Sequence, residues 1–253
     1  MKSFLSCYFL LILLCGLRPL AATDITSANQ ALASGHAAEA LADYQSLLAS
    51  PQFSKASAPE LWYDCGLAQK KIGDPIAASL SFRRALLLDP TLAPARAELT
   101  SVLGSLGVTM NAGWQEQLLV KVHPELLILG GAILGWLGVF LLVIFLILGP
   151  RKPLFIALAL TALILGHGVS IFGSFIDPRR VANNLGVITA KTAPTLRETP
   201  ADSATAQGTA TPGSLITILS RNGSWWYVDD GSGHLGWIPA TTITPLLPFH
   251  EGS

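Results

Sequence analysis

Charge is the first thing this chain has little of. Lys, Arg, Asp and Glu make up 13% of its 253 residues and cancel to a formal net charge of zero. Soluble domains carry about a quarter charged residues, so much of this chain is expected to lie outside water. The charges that exist are also balanced locally, nine acidic against seven basic over residues 23–124 and six against five over residues 177–253. No cationic stripe is available to follow a phosphate backbone, which excludes nucleic acid as an expected partner. Cysteine is scarce as well, confined to Cys7, Cys15 and Cys65. If a leader is removed, Cys65 stands alone, without a partner for a disulfide and without Cys or His at metal-ligand spacing. A small buried apolar role is expected for it.

Catalytic signatures are missing too. The chain contains no GxSxG, HExxH or GxxxxGK arrangement, and those spacings are what nucleophilic, zinc and phosphate chemistry need. Its histidines, at 36, 123, 167, 234 and 250, are scattered without paired carboxylates. Asp229 and Asp230 are adjacent, and on a strand they point to opposite faces, so they cannot share an acid–base task. No enzyme activity, cofactor or metal site is therefore expected.

What the chain does have is long apolar runs, and a mean hydropathy of +0.50. Residues 126–148 and 154–176 contain no charged side chain. At about 1.5 Å per residue each reaches across a hydrocarbon core about 30 Å thick. The turn at residues 149–153, Gly-Pro-Arg-Lys-Pro, is short enough to force an antiparallel hairpin, and its two cations favour the cytoplasm. Residues 1–22 read as a secretory signal, with Lys2 before an apolar stretch too short to span comfortably; an uncleaved anchor gives the same topology. Cys15 raises a lipoprotein alternative, against which the large Leu14 before it argues. The expected location is the cell (inner) membrane, multi-pass, with both soluble segments on the extracytoplasmic (periplasmic) side.

Within the hairpin, Gly131 and Gly135 form a GxxxG pair, and Gly166, Ser170 and Ser174 recur every four residues. Small residues let helices approach closely where lipid supplies no hydrophobic drive, so these five are the expected packing face, unless the same face receives other subunits. His167 is the single ionisable group inside either run. It lacks a carboxylate partner there, and a neutral imidazole bonded to a backbone carbonyl is expected rather than a proton relay.

Residues 59–90 carry Trp62, Gly66, Gly73, Ala78, Phe82, Ala85 and Pro90 at the spacing Trp62-x-x-Cys65-Gly66-x(6)-Gly73-x(4)-Ala78-x(3)-Phe82-x-x-Ala85-x(4)-Pro90. Gly66 and Ala78 allow two helices to approach, Phe82 fills the space between them, Gly73 with Asp74-Pro75 breaks the chain, and Pro90 ends the second helix. This pattern resembles the tetratricopeptide repeat. A shorter copy, with Gly35, Ala40 and Tyr44 at the equivalent positions, lies upstream, residues 51–57 connect the copies, and a capping helix is expected at 93–106. The module spans residues 23–107. Two repeats and a cap fall short of the three usually needed to bury a solenoid core, so the module should lean on the membrane surface, the C-terminal domain or a partner. The resemblance implies protein binding, with a spacer role as the alternative. In the juxtamembrane segment 108–125, Trp114, Leu118, Leu119 and Val122 share one helical face, as in an interfacial helix, though a plain linker would serve as well.

After a connector at residues 177–184 the period changes to two. Runs at 186–190, 215–220, 225–229 and 235–238 are rich in β-branched and aromatic residues and separated by Asn-Gly and Asp-Gly-Ser-Gly turns. A compact all-β domain of about five strands is expected over residues 185–246, with a polar excursion at 201–212 and a tail at 247–253. Thr195-Leu196-Arg197-Glu198-Thr199-Pro200, Gly213-x-Leu215-x-x-Ile218, Trp225-Trp226-Tyr227-Val228 and Gly236-Trp237-Ile238 together resemble a bacterial SH3 (SH3b) domain. Such domains are similar to modules that hold cell-wall peptides or proteins. Alternation puts Trp226 and Val228 inside and Trp225 and Tyr227 outside, so Trp225, Tyr227 and Trp237 are the candidate binding residues, unless the domain merely packs on its own repeat module.

The fold class expected is thus a multi-domain membrane protein: α-helical repeat module, two-helix transmembrane hairpin, small all-β SH3b barrel. The order of these parts resembles the BatE family of bacterial aerotolerance membrane proteins. That resemblance implies a scaffold whose partners are membrane proteins with von Willebrand factor A domains, and indirectly a MoxR-type ATPase. The competing expectation is a protein that binds or senses peptidoglycan through its SH3b domain.

Overall fold

A computed structural model describes residues 25–50, 59–108, 124–148, 153–180 and 182–247. The leader at 1–22, the 51–57 connection, the Trp114 to Val122 face, the 149–152 turn and the tail beyond 247 lie outside the described residues.

Five helices come first: α1 (Ile25–Ala33), α2 (Ala37–Ala49), α3 (Pro59–Ile72), α4 (Pro75–Leu88) and α5 (Ala93–Ser105), each packed on its sequence neighbours. The breaks are chemical. Gly35 and Gly73 sit at φ +91° and +88°, a left-handed conformation that glycine adopts without strain and that ends α1 and α3. Asp74 then caps α4 by accepting the Ala77 N–H at 3.0 Å, with Pro75 in the first turn. Tyr44, fully buried, donates to Asn29 Oδ1 at 2.5 Å. Phe82, also fully buried, lies so close to Gly66 that a Cβ there would stand 2.5 Å from the ring. Ala78, Ala85 and Pro90 are buried, and Trp62 is half-buried.

Helices α6 (Pro124–Leu148) and α7 (Pro153–Ile176) form the most extensive helix pair in the molecule. Both are long and apolar enough to cross a membrane, with mean hydropathies of 2.6 and 2.0. Only 17% of each span is buried within the chain. Trp136, Phe140 and Ile147 are 64%, 64% and 77% exposed, an outward apolar surface that the core helices of a water-soluble fold do not present. Where the pair touches, a Cβ on Gly131 would stand 2.6 Å from both Gly166 O and Ser170 N, and one on Gly135 would stand 3.3 Å from His167 Nδ1. Gly138, Ala159 and Gly173 continue the contact: a Cβ on Gly138 would stand 2.8 Å from Ala159 O, and one on Gly173 2.8 Å from Leu127 Cβ. Ser174 is half-buried. His167 Nδ1 lies 3.0 Å from Leu163 O, one turn back.

After two short turns, Pro178–Arg180 and Ala182–Asn184, seven strands form one antiparallel sheet: β1 (Leu185–Ile188), β2 (Thr195–Arg197), β3 (Ala206–Thr209), β4 (Leu215–Asn222), β5 (Trp225–Asp229), β6 (Leu235–Pro239) and β7 (Ile243–Pro245). Their order is β3-β2-β6-β5-β4-β1-β7. The strands outside the four expected runs are the three-residue β2 and β7 and, within the polar excursion at 201–212, β3. That strand is mostly exposed and lacks the β-branched alternation that marks a strand in sequence. Ile188, Leu196, Ile216, Ile218, Val228, Ile238 and Ile243 fill the core.

The β domain docks on α4. Leu80 and Leu87 share one buried cluster with Ala182, Val187 and Leu246, and Leu185, Leu215 and Leu247 pack around it. Two arginines close this contact. Arg83 Nη2 donates to Gly213 O at 3.2 Å; Arg84 donates from Nε to Leu246 O at 3.0 Å and from Nη2 to Pro245 O at 3.1 Å. The Arg84 guanidinium also lies 4.7 Å from the Trp62 ring centre, and burial lowers its pKa. Arg179 completes the joint by donating to Leu88 O at 2.9 Å while pairing with Glu125. Glu125 opens α6 and Arg179 follows α7, so this pair holds the two outer helix ends together and brings both flanking domains to one end of the hairpin. The short helical module thus contacts the C-terminal domain, one of the supports open to it.

Candidate functional site

The site is an open sheet face, built by the two-residue period of β5 and β6. Val228 and Ile238 point into the core and are fully buried. Trp225, Tyr227 and Trp237 fall on the opposite phase and are half-exposed. Tyr227 stands directly across from Trp237, and their rings meet at 5.3 Å with a 44° tilt. Such tilted pairs fit the opposed charge of ring faces and edges, and they offer contact area at little entropic cost. Trp225 lies one pair further along, opposite Pro239. Trp226, on the inner phase, packs partly against the core under the Arg221 guanidinium, 5.4 Å away.

Two features border the aromatic row. Arg197 of β2 is the cross-strand partner of Trp237, next to fully buried Leu196 and therefore on the outer face. At the end of β5, Asp229 shares the phase of Tyr227, while Asp230 closes the following turn. Asp230 accepts the Ser232 and His234 N–H groups at 2.8 and 3.1 Å and meets His234 Nδ1 at 3.0 Å. Partial burial would raise its pKa, yet these hydrogen bonds outweigh that and hold it below the ordinary value.

The docking contact uses β1, β7 and the start of β4, at one end of the strand order, whereas the aromatic row lies on β5 and β6 with β2 beside it. The helical module therefore covers one end of the sheet and leaves the aromatic residues half-exposed. The other sequence-derived sets remain apart from this face. Gly131, Gly135, Gly166 and Ser170 meet within the hairpin, and the residues from Trp62 to Pro90 organise the α3–α4 pair. Cys65 is buried with its thiol pushed up to about 12, first by desolvation, which leaves it protonated and unreactive at neutral pH. Among the described residues, no three His, Cys, Asp or Glu side chains are placed to hold a metal ion.

In the sequence Arg197 stands only as one residue of the Thr195–Pro200 motif, and Arg83, Arg84 and Arg179 belong to no candidate site. The register of β2 against β6 would have revealed the first. Nothing in the spacing of the other three marks them as interface residues.

The C-terminal domain is thus a small all-β module, one seven-stranded antiparallel sheet with an aromatic outer face. Residues 192–244 match the family model of the bacterial SH3 domain. The match runs from just before β2 into β7 and excludes β1, the strand whose Val187 enters the docking cluster. Neither the curated proteins nor the solved structures yield a match to this chain.

Proposed function

We propose that this chain is a non-catalytic, membrane-anchored envelope protein whose bacterial SH3 domain holds cell-wall peptide on the face of Trp225, Tyr227 and Trp237. The observation that carries the reading is the half-exposed aromatic row, left open although the same domain is docked elsewhere. The anchor is the α6–α7 hairpin, whose outward surface is apolar along both helices. The joined Glu125 and Arg179 ends support a topology with both domains on one side of the membrane, and the secretory-type composition of residues 1–22 supports the extracytoplasmic side. The test is sedimentation of the full chain, in detergent micelles, with purified cell wall. The parent should pellet with the wall and the Tyr227→Ala/Trp237→Ala double variant should stay in solution. Equal pelleting of both, or of neither, would defeat the assignment.

A second reading is favoured by the docking itself. The helical module, read as a tetratricopeptide pair through the Gly66–Phe82 contact, forms a continuous surface with the β domain. Such a surface suits a scaffold that gathers other membrane proteins, including the von Willebrand factor A-domain class implied by the BatE resemblance. Affinity purification of the full chain in mild detergent tests it, since a scaffold should retain a stoichiometric partner and a wall-binding module should not.

A further inference from the structure

The aromatic row is bordered by opposite charges, and their positions define a ligand more narrowly than aromatic contact does. Arg197, Trp237 and Tyr227 are successive cross-strand partners on one face, and Asp229 lies two residues beyond Tyr227 on the same face. Directly opposed residues on adjacent strands share a face, as do residues two apart on one strand. The Arg197 head is held in place because Nη1 donates to Ala204 O at 2.9 Å. Its other N–H groups find no carboxylate among the described residues, since the ion pairs there are Lys70–Glu98, Arg179–Glu125 and His234–Asp230. Asp229 is half-exposed and accepts one backbone N–H, from Gly231 at 2.8 Å, and it too has no cation partner among the described residues. A fixed guanidinium therefore stands at one end of an aromatic strip and a carboxylate at the other.

The spacing follows from sheet geometry. Two inter-strand steps of about 4.8 Å and one two-residue step of about 6.8 Å separate the Cα atoms of Arg197 and Asp229 by about 12 Å. An extended peptide covers that in about three to four residues. We propose that the face takes a short, extended, zwitterionic peptide. Its carboxylate is received by Arg197, its apolar middle lies on Trp237 and Tyr227, and its amine lies at Asp229. This deepens the cell-wall reading above and rests on it. A planar guanidinium receives a carboxylate through two parallel N–H bonds, which is why arginine rather than lysine suits that end.

The probe is the wall stem tetrapeptide L-Ala-γ-D-Glu-L-Lys-D-Ala, compared with forms in which both its carboxylates are amidated or both its amines, N-terminal and lysine, are acetylated. Each is titrated against the full chain in nanodiscs and followed by tryptophan fluorescence. Amidation should weaken binding to the parent about tenfold, the scale of one charge-assisted contact. Arg197→Gln should weaken the free peptide by the same factor and the amidated peptide not at all. Asp229→Asn should show the corresponding pattern with the acetylated amine, and Arg197→Lys should recover only part of the loss. The amidation and acetylation arms use unmodified protein, so they stand even if a variant fails to fold. Equal affinity of the parent for all three peptides, with binding still lost in Trp237→Ala, would overturn the charge assignment and leave the wall reading intact. Failure of the parent to bind either the peptides or intact wall would overturn both.

Discussion

Glycine brings helices together in two pairs among the described residues, and the two contacts differ in what the space is used for. In the α3–α4 pair, Gly66 makes room for a side chain, the fully buried Phe82 ring. In the α6–α7 pair, Gly131 and Gly166 make room for backbone, with the Gly166 carbonyl where a Gly131 side chain would stand. On the proposed membrane placement of α6–α7, the solvent explains the difference. In water, burying an aromatic ring stabilises by about 25 cal/mol per Å² removed from water, so a gap is best filled with a large apolar group. In hydrocarbon a ring gains little by leaving lipid for protein, and close backbone packing contributes instead. One residue type thus serves a hydrophobic core in one pair and dispersion contact in the other.

Substitutions can separate the two. Phe82→Ala has the largest expected effect, a loss of about 3–5 kcal/mol from the helical module, read as a lower midpoint in urea unfolding. It should leave the hairpin unchanged, as judged by disulfide cross-linking between cysteines introduced at 128 and 170. Gly166→Leu reverses the pattern. Forcing a side chain against the Gly131 and Gly135 backbone should cost about 2–3 kcal/mol and abolish that cross-link, while the urea midpoint stays in place. If either variant moves both readouts, the two pairs are energetically one unit.

Arg84→Met probes the joint between the modules. It keeps the apolar stem against Trp62 but strips the donors from Leu246 O and Pro245 O, at a cost of about 2 kcal/mol for two unsatisfied carbonyls. Limited proteolysis should then release the β domain from the helical module, and an unchanged digestion pattern would argue that Leu80, Leu87 and Val187 suffice.

The smallest effect is at Asp64. Burial, with Glu60 nearby, raises its pKa from 3.8 to about 6. A carboxyl with a raised folded-state pKa binds more protons folded than unfolded between those values, so stability falls as pH rises from about 4 to 6 and stays reduced above. Asp64→Asn should flatten that slope and stabilise the helical module by about 1 kcal/mol at pH 7, the half-exposed carboxyl being partly screened. A slope that persists in Asp64→Asn would place its origin elsewhere.

Much of this molecule is legible because its local chemistry is unambiguous. Gly73-Asp74-Pro75 announces a helix stop, cap and restart, and the two uncharged runs are legible as long apolar helices from length and composition. The alternation through Trp225, Trp226, Tyr227 and Val228 sorts inside from outside before any strand is paired. β3 was not legible, because Ala206–Thr209 is an exposed edge strand without an apolar face. Gly138 and Gly173 carry no such signal because they fall outside the four-residue spacing, although both lie on the contact face. Arg197 needed the β2–β6 register, a fact about two strands that no single segment contains.

The sequence by itself determined the parts: where helices begin and end, which runs form long apolar helices, and which aromatic side chains face outward. These follow from interactions between residues close along the chain, such as capping, periodicity and hydrophobicity. Only the tertiary structure decided how the parts join. The docking of β1, β4 and β7 on α4, fastened by Arg83, Arg84 and Arg179, depends on backbone carbonyls. Every residue carries a carbonyl, so the sequence does not mark which of them will stand, some 90 to 160 positions away, where a guanidinium can reach.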